Sequence, residues 1–190
     1  LEVTNNIENS NYIKGVSYNN LGLLSFKKED YNDAINYYTQ VINIPDIENF
    51  EPQTYTYAKQ YLLFSKFKLG ETNNFITEYE EVLENCKKLN LSTVQPKIQL
   101  SEYYESQNET EKSQKLALES YKNSIQHKLF REKLLALKQL TNVFPEKAKH
   151  YSNEYVKLSD SIAAVDKKTQ NTFARIEYRV DELNDENSLL

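Results

Sequence analysis

The sequence contains no methionine and no tryptophan, and only three glycines, four prolines, two histidines and one cysteine in 190 residues. Glycine and proline are the strongest helix interrupters, so their scarcity predicts long helices joined by short connections. No stretch alternates apolar and polar residues between turn clusters, and no strand is expected. A lone Cys86 excludes an internal disulfide and a cysteine-based zinc site; burial against a core is expected for it. His127 and His150 lie in different helices with no ligand triplet near them in sequence, so no metal site is expected. There is no phosphate-cradling glycine loop, no G-x-S-x-G and no H-E-x-x-H. Glu80-Glu81 and Asp181-Glu182 are consecutive on helices, so each pair splits across faces and makes no acid–base dyad. No catalytic residue, metal or cofactor is therefore expected, and the chain is not expected to be an enzyme.

Charge and hydropathy exclude further classes. The net charge of -5 gives no basic footprint, so direct nucleic-acid binding is not expected. No apolar run reaches the ~18 residues that span a bilayer. A chain that opens on Leu1 and holds no methionine is expected to be an excised domain, touching a membrane only through its parent.

What is present in quantity is aromatic: 15 tyrosines and 8 phenylalanines enlarge the core that a modest hydrophobic share can form. Residues 1–11 are polar and Asn-rich, a ragged tail or the end of a truncated helix. From Asn11 to about Lys28, Ile13, Val16, Leu21, Leu24 and Phe26 recur at roughly helical spacing. Asp30 then caps a helix with a stripe of Tyr31, Ala34, Ile35, Tyr38 and Val41, closed by Pro45. Further pairs are expected at Gln53–Leu69 with Thr72–Asn90, at Val94–Glu105 with Thr110–Ile125, and at Gln126–Val143 with Pro145–Asp160. Asn108 falls in the turn of the third pair. Gly70 breaks the second.

Four successive hairpins, each near ~34 residues, point to a repeat. In the first, Tyr18, Leu21 and Gly22 stand as aromatic-x-x-Leu-Gly, followed by Asp30-Tyr31 and then Ala34-x-x-x-Tyr38. This hairpin resembles a tetratricopeptide repeat (TPR). The others keep the helix lengths and turn positions with few of the signature residues; Lys66 and Phe75 stand where the family prefers an aromatic and an alanine. The resemblance implies an all-α fold: a right-handed superhelix of about four TPR-like hairpins over 12–160, followed by a long C-terminal helix over 161–190. It also explains Gly22. Within a helix, glycine costs about 1 kcal/mol relative to alanine; between paired helices it allows close approach, here expected beside Ala34.

The tail has its own pattern. Phe173, Ile176, Val180, Leu183, Asn187 and Leu190 fall at intervals of three and four, the seam of a short coiled coil. The first half of this helix is expected to cap the last repeat, the second half to form a weak homodimer, with Phe173, Ile176, Val180 and Leu183 as its seam. The run "YVKLSDSIAAVDKKTQNTFARIEYRVDELNDEN" resembles the end of periplasmic TPR sensor regions in Bacteroidetes-type membrane regulators. In that family a transmembrane helix follows, then a LuxR-type or histidine-kinase output. The resemblance implies a periplasmic location in a membrane-anchored parent.

The functional expectation is a surface that binds a protein or peptide. The first helices of successive pairs line the concave wall of such an array. From repeat 1 the wall is expected to take Val16, Asn19, Asn20, Leu23 and Lys27; from repeat 2, Lys59, Gln60 and Phe64; from repeat 3, Gln99 and Tyr103. Carboxamides suit an extended peptide because each both donates and accepts hydrogen bonds. The chaperone-tail carboxylate clamp of some TPR proteins is not expected, since Leu23 follows Gly22 where Asn is needed and the arginines (Arg131, Arg175, Arg179) come late. The alternatives are a cytoplasmic TPR adaptor and a TPR-type regulator of a response-regulator phosphorelay.

Overall fold

The computed structural model describes the backbone of residues 2–188 and the side chains of residues 10–173, 175, 176 and 179. The protein is all-α: nine helices and one 3-10 turn, with no strand among the described residues. The helices are α1 (Glu2–Lys27), α2 (Tyr31–Ile42), α3 (Ile47–Phe50), α4 (Pro52–Lys68), α5 (Phe75–Lys88), α6 (Val94–Ser106), α7 (Thr110–Gln126), α8 (Phe130–Val143) and α9 (Ala148–Ser188), with the 3-10 turn at Pro145–Lys147 before the last. Helix α1 includes residues 2–11, and α9 runs without a break through residue 160.

Five helices stop in the same way. After α1, α4, α5, α6 and α7 one residue takes a left-handed backbone: Glu29, Gly70, Asn90, Asn108 and Lys128, with φ between 53° and 86°. In each case that residue's N–H and the next one reach back to the last turn, as in Glu29 N to Phe26 O at 3.0 Å and Asp30 N to Ser25 O at 3.0 Å. This closure satisfies carbonyls that would otherwise have no partner. It also corrects one expected start: α8 begins at Phe130 instead of Gln126, because Lys128 turns the chain there. Asp30 caps α2 as expected, its Oδ1 accepting from the Asp33 N–H at 3.3 Å. The one-turn helix α3 was not anticipated; its Ile47 is buried beneath Gly15.

Helices α1 and α2, α4 and α5, α6 and α7, and α8 and α9 form four successive hairpins, while α1, α4, α6 and α8 lie side by side across them. The core running through the first two hairpins and onto α6 of the third is largely aromatic. Phe26 meets Tyr61 edge-on at 5.0 Å between ring centroids, Tyr38 stacks on Tyr61 at 5.7 Å, and Phe75 stacks on Tyr103 at 4.5 Å. Cys86 is buried within this region, and burial pushes its thiol up from the ordinary value. The third hairpin is held differently. Ser101 Oγ donates to Ser113 O and Ser113 Oγ donates to Ser101 O, both at 2.8 Å, with Ala117 buried one turn on. Small side chains allow α6 and α7 this approach, and the reciprocal bonds keep the buried hydroxyls satisfied.

Gly22 is buried against α2. A Cβ placed there would lie 2.7 to 3.0 Å from three atoms of the Tyr38 ring. Close approach is the reason for the glycine, as expected, but its neighbour is Tyr38, one turn beyond Ala34.

The start of α9 packs on the last repeat. Tyr151, Tyr155 and Leu158 join a core with Leu137, Leu140 and Val143 of α8. Two polar clamps hold the same surface. Lys133 pairs with Glu154 at 2.7 Å, and Arg131 donates to both oxygens of Asp166 at 2.9 Å. Further along, Phe173 and Ile176 are 66% and 54% exposed. The side chains of Val180, Leu183 and Asn187, and the whole of Leu190, lie outside the described residues.

Candidate functional site

The wall formed by α1, α4, α6 and α8 contains two cavities that meet at Gln95 of α6. The first, about 300 Å³, is lined by Asn19 and Leu23 of α1, Tyr38 of α2, Tyr57, Gln60 and Tyr61 of α4, Gln95 and Pro96 of α6, Glu132 of α8 and Ser92 of the preceding loop. The second, about 320 Å³, takes Phe64 and Lys68 from α4, Ile98, Gln99 and Glu102 from α6, and Leu135, Lys138 and Gln139 from α8.

Hydrogen bonds join polar side chains of this wall across neighbouring helices in three separate groups. Gln60 Nε2 donates to Gln99 Oε1 at 2.8 Å, and the buried Tyr79 hydroxyl donates to the same oxygen. Gln95 Nε2 donates to the Tyr61 hydroxyl at 2.5 Å. Ser92 Oγ donates to the Glu132 carboxylate at 2.7 Å. Burial holds the phenols of Tyr38 and Tyr79 well above their ordinary range, so both remain protonated. Burial pushes Tyr61 up to about 12 against the Gln95 hydrogen bond, with the nearby Tyr57 and Glu132 adding to the rise.

The expected site residues fall into distinct places. Asn19, Leu23 and Gln60 line the first cavity, and Phe64 and Gln99 the second. Tyr103 is half-buried among Phe67, Phe75 and Tyr104. Lys59 turns toward α5 and pairs with Glu81 at 2.7 Å. Asn20 and Lys27 are exposed and line neither cavity. The sequence reading missed Tyr57, Tyr61, Gln95 and Glu132. A signal existed for the first three, since Tyr57 and Tyr61 flank Gln60 by three and one positions and Gln95 precedes Gln99 by one turn. Glu132 belongs to the fourth hairpin, where few signature residues mark the side that faces the wall.

His127 and His150 are exposed, and among the described residues no group of three His, Cys, Asp or Glu side chains is placed to hold a metal. No helix, among the described residues, is long and apolar enough to cross a membrane.

Residues 16–46 match the family model described as "Tetratricopeptide repeat". The matched stretch spans the second half of α1, all of α2 and the turn that follows. No curated protein matches the chain. The match and the helical architecture together support a TPR domain, a type of fold that generally serves as a scaffold for protein partners.

Proposed function

We propose that this chain is a non-catalytic scaffold that binds an extended peptide or partner loop along the α1–α4–α6–α8 wall and passes the bound state to α9. The observation that carries the reading is the row of carboxamides on that wall: Asn19, Gln60, Gln95 and Gln99 face two adjoining cavities. A peptide backbone presents donors and acceptors in alternation, and carboxamides can meet both. The route to α9 runs through three consecutive residues of α8. Glu132 lines the cavity, while Arg131 and Lys133 on either side of it clamp α9 through Asp166 and Glu154. A ligand that shifts α8 therefore acts on both clamps.

The likeness of the tail to membrane-bound TPR sensors supports a further proposal, that this is the extracytoplasmic, periplasmic part of a membrane-anchored signalling or transcription regulator. On this reading the far half of α9 forms a weak homodimer through Phe173 and Ile176, continued in sequence by Val180 and Leu183.

Selection of a displayed peptide library on the immobilised domain tests the scaffold. Peptides recovered on the wild type should lose about two- to tenfold in affinity on Gln95→Leu, which removes a polar group common to both cavities, at unchanged helicity. A net hydrogen bond of ~0.5–1.5 kcal/mol corresponds to a loss of that order. Equal affinity for Gln95→Leu would move the binding surface off this wall. Protease accessibility of the domain in spheroplasts of cells making the parent protein tests the location; protection there would place it in the cytoplasm.

A further inference from the structure

We propose that the cavity between α1, α4, α6 and α8 receives one cationic side chain, a lysine or arginine, of the segment bound along the wall; this rests on the scaffold reading above. Three residues that line the cavity each carry a buried polar atom with no hydrogen-bond partner among the described residues: Asn19 Oδ1, Gln60 Oε1 and the Tyr38 hydroxyl. Gln60 is 1% exposed and Tyr38 fully buried. Buried polar groups in folded proteins are almost always paired, so three in one place mark where a partner belongs.

The chemistry of that partner follows from the inventory. Carboxamide oxygens only accept hydrogen bonds, so Asn19 and Gln60 ask for a donor. Gln60 Nε2 donates to Gln99 Oε1, which also accepts from the Tyr79 hydroxyl, so the Gln60 oxygen is the group left without a partner. Glu132 adds a carboxylate. Among the described residues no cation pairs with it, because the adjacent Arg131 and Lys133 are engaged by Asp166 and Glu154.

No lysine or arginine lines the cavity. An anionic ligand would meet Glu132 without compensation, and an apolar one would leave the three polar atoms unpaired. A neutral donor would satisfy the amides but not the charge. A cation with several N–H donors meets all of these. The volume of about 300 Å³ lies at the small end of ligand sites, suited to a single long side chain.

Titration of the ¹⁵N-labelled protein followed by NMR tests the assignment. The probes are acetyl-Gly-Gly-Lys-Gly-Gly-amide, the same peptide with norleucine for lysine, and n-butylammonium. The lysine peptide should shift the side-chain amide resonances of Asn19 and Gln60 saturably. The norleucine peptide should bind at least tenfold more weakly, and Glu132→Gln should lower lysine-peptide affinity about tenfold. Asn19→Leu, which removes a different acceptor, should also weaken it. Norleucine binding as tight as lysine, or unchanged affinity in both variants, overturns the proposal. Butylammonium as tight as the lysine peptide assigns the cavity to a free amine and overturns its role in partner recognition. The peptide library separates the two readings. Selected peptides that need no lysine or arginine sink the cation site and leave the scaffold standing, whereas amine binding with no peptide selected sinks the scaffold.

Discussion

Gly22 and Lys128 show opposite solutions to the same backbone economy. At Gly22 the missing side chain makes room: the Tyr38 ring occupies the space where a Cβ would stand. Tyr38 is fully buried and stacked on Tyr61, so it has nowhere to retreat. Gly22→Leu is expected to destabilise the protein by about 1–3 kcal/mol from overpacking, of which the better helix propensity of leucine recovers less than 1 kcal/mol. A drop of several degrees in thermal midpoint is the readout; an unchanged midpoint would mean the α1–α2 contact is looser than described. At Lys128 a side chain is carried where none is favoured, since φ is 55°. Left-handed backbone costs a non-glycine residue roughly 1–2 kcal/mol, offset in part by the entropy glycine loses on folding. Lys128→Gly is thus expected to raise stability by about 0.5–1 kcal/mol, measured by urea unfolding; a fall would show that the lysine side chain contributes to the turn. The need for a small residue at 22 was legible in sequence, because glycine stood inside a good helical run. Its partner was not, since Ala34 and Tyr38 share one face of α2 and only the helix offset decides between them.

Between α8 and α9 the stability is pH-dependent in a definite direction. Glu154 receives hydrogen bonds from Lys133 at 2.7 Å and from Tyr121 at 2.8 Å. Burial alone would raise its carboxyl, but the Lys133 and Tyr121 hydrogen bonds outweigh it and hold the group below the ordinary carboxylate value. A depressed folded pKa means the stabilisation is present above the unfolded value and is lost as pH falls through the folded one. Docking of α9 is therefore expected to loosen as pH falls below the ordinary Glu value of about 4.3, seen as faster amide exchange in residues 148–160 than in α4. Lys133→Met should produce the same loosening at pH 7, at a cost of about 1–2 kcal/mol, because a half-buried charge pair lies between an exposed pair and a buried one. Equal exchange in wild type and variant would show that apolar packing of Tyr151 and Leu158 suffices. The helices themselves were largely legible, with Val94 and Thr110 starting helices where expected, because few breakers leave few possible boundaries. Helix α3 was not, being one turn long and following Pro45-Asp46, which read as a stop. The start of α8 was misplaced because a lysine took the role of glycine. The cavity was legible only in part. Gln60 and Asn19 follow from knowing which helices line the wall, but their meeting with Glu132 depends on the lateral register of four helices, which no local pattern encodes.

At the scale of the molecule, α9 extends the array. Its 41 residues make a rod of about 60 Å, of which the N-terminal part is anchored and ends near the Arg131–Asp166 clamp. Beyond it Phe173 and Ile176 share a face and are both more than half exposed. An unsupported helix gains little from propensity alone, and the proposed partner for this face is a second α9. Two short heptads bury little area, and the domain is expected to be mostly monomeric in dilute solution, with dimers appearing as concentration rises. Tethering in a membrane would raise the effective concentration and tighten the same seam. Ile176→Asp places a charge in the seam and should abolish the dimer while leaving the thermal midpoint of the repeats unchanged, since residue 176 lies beyond the clamps. Sedimentation of both proteins across a concentration series gives the answer. A dimer that survives Ile176→Asp would have to form through the repeats, and α9 would then act only as the cap of the last hairpin.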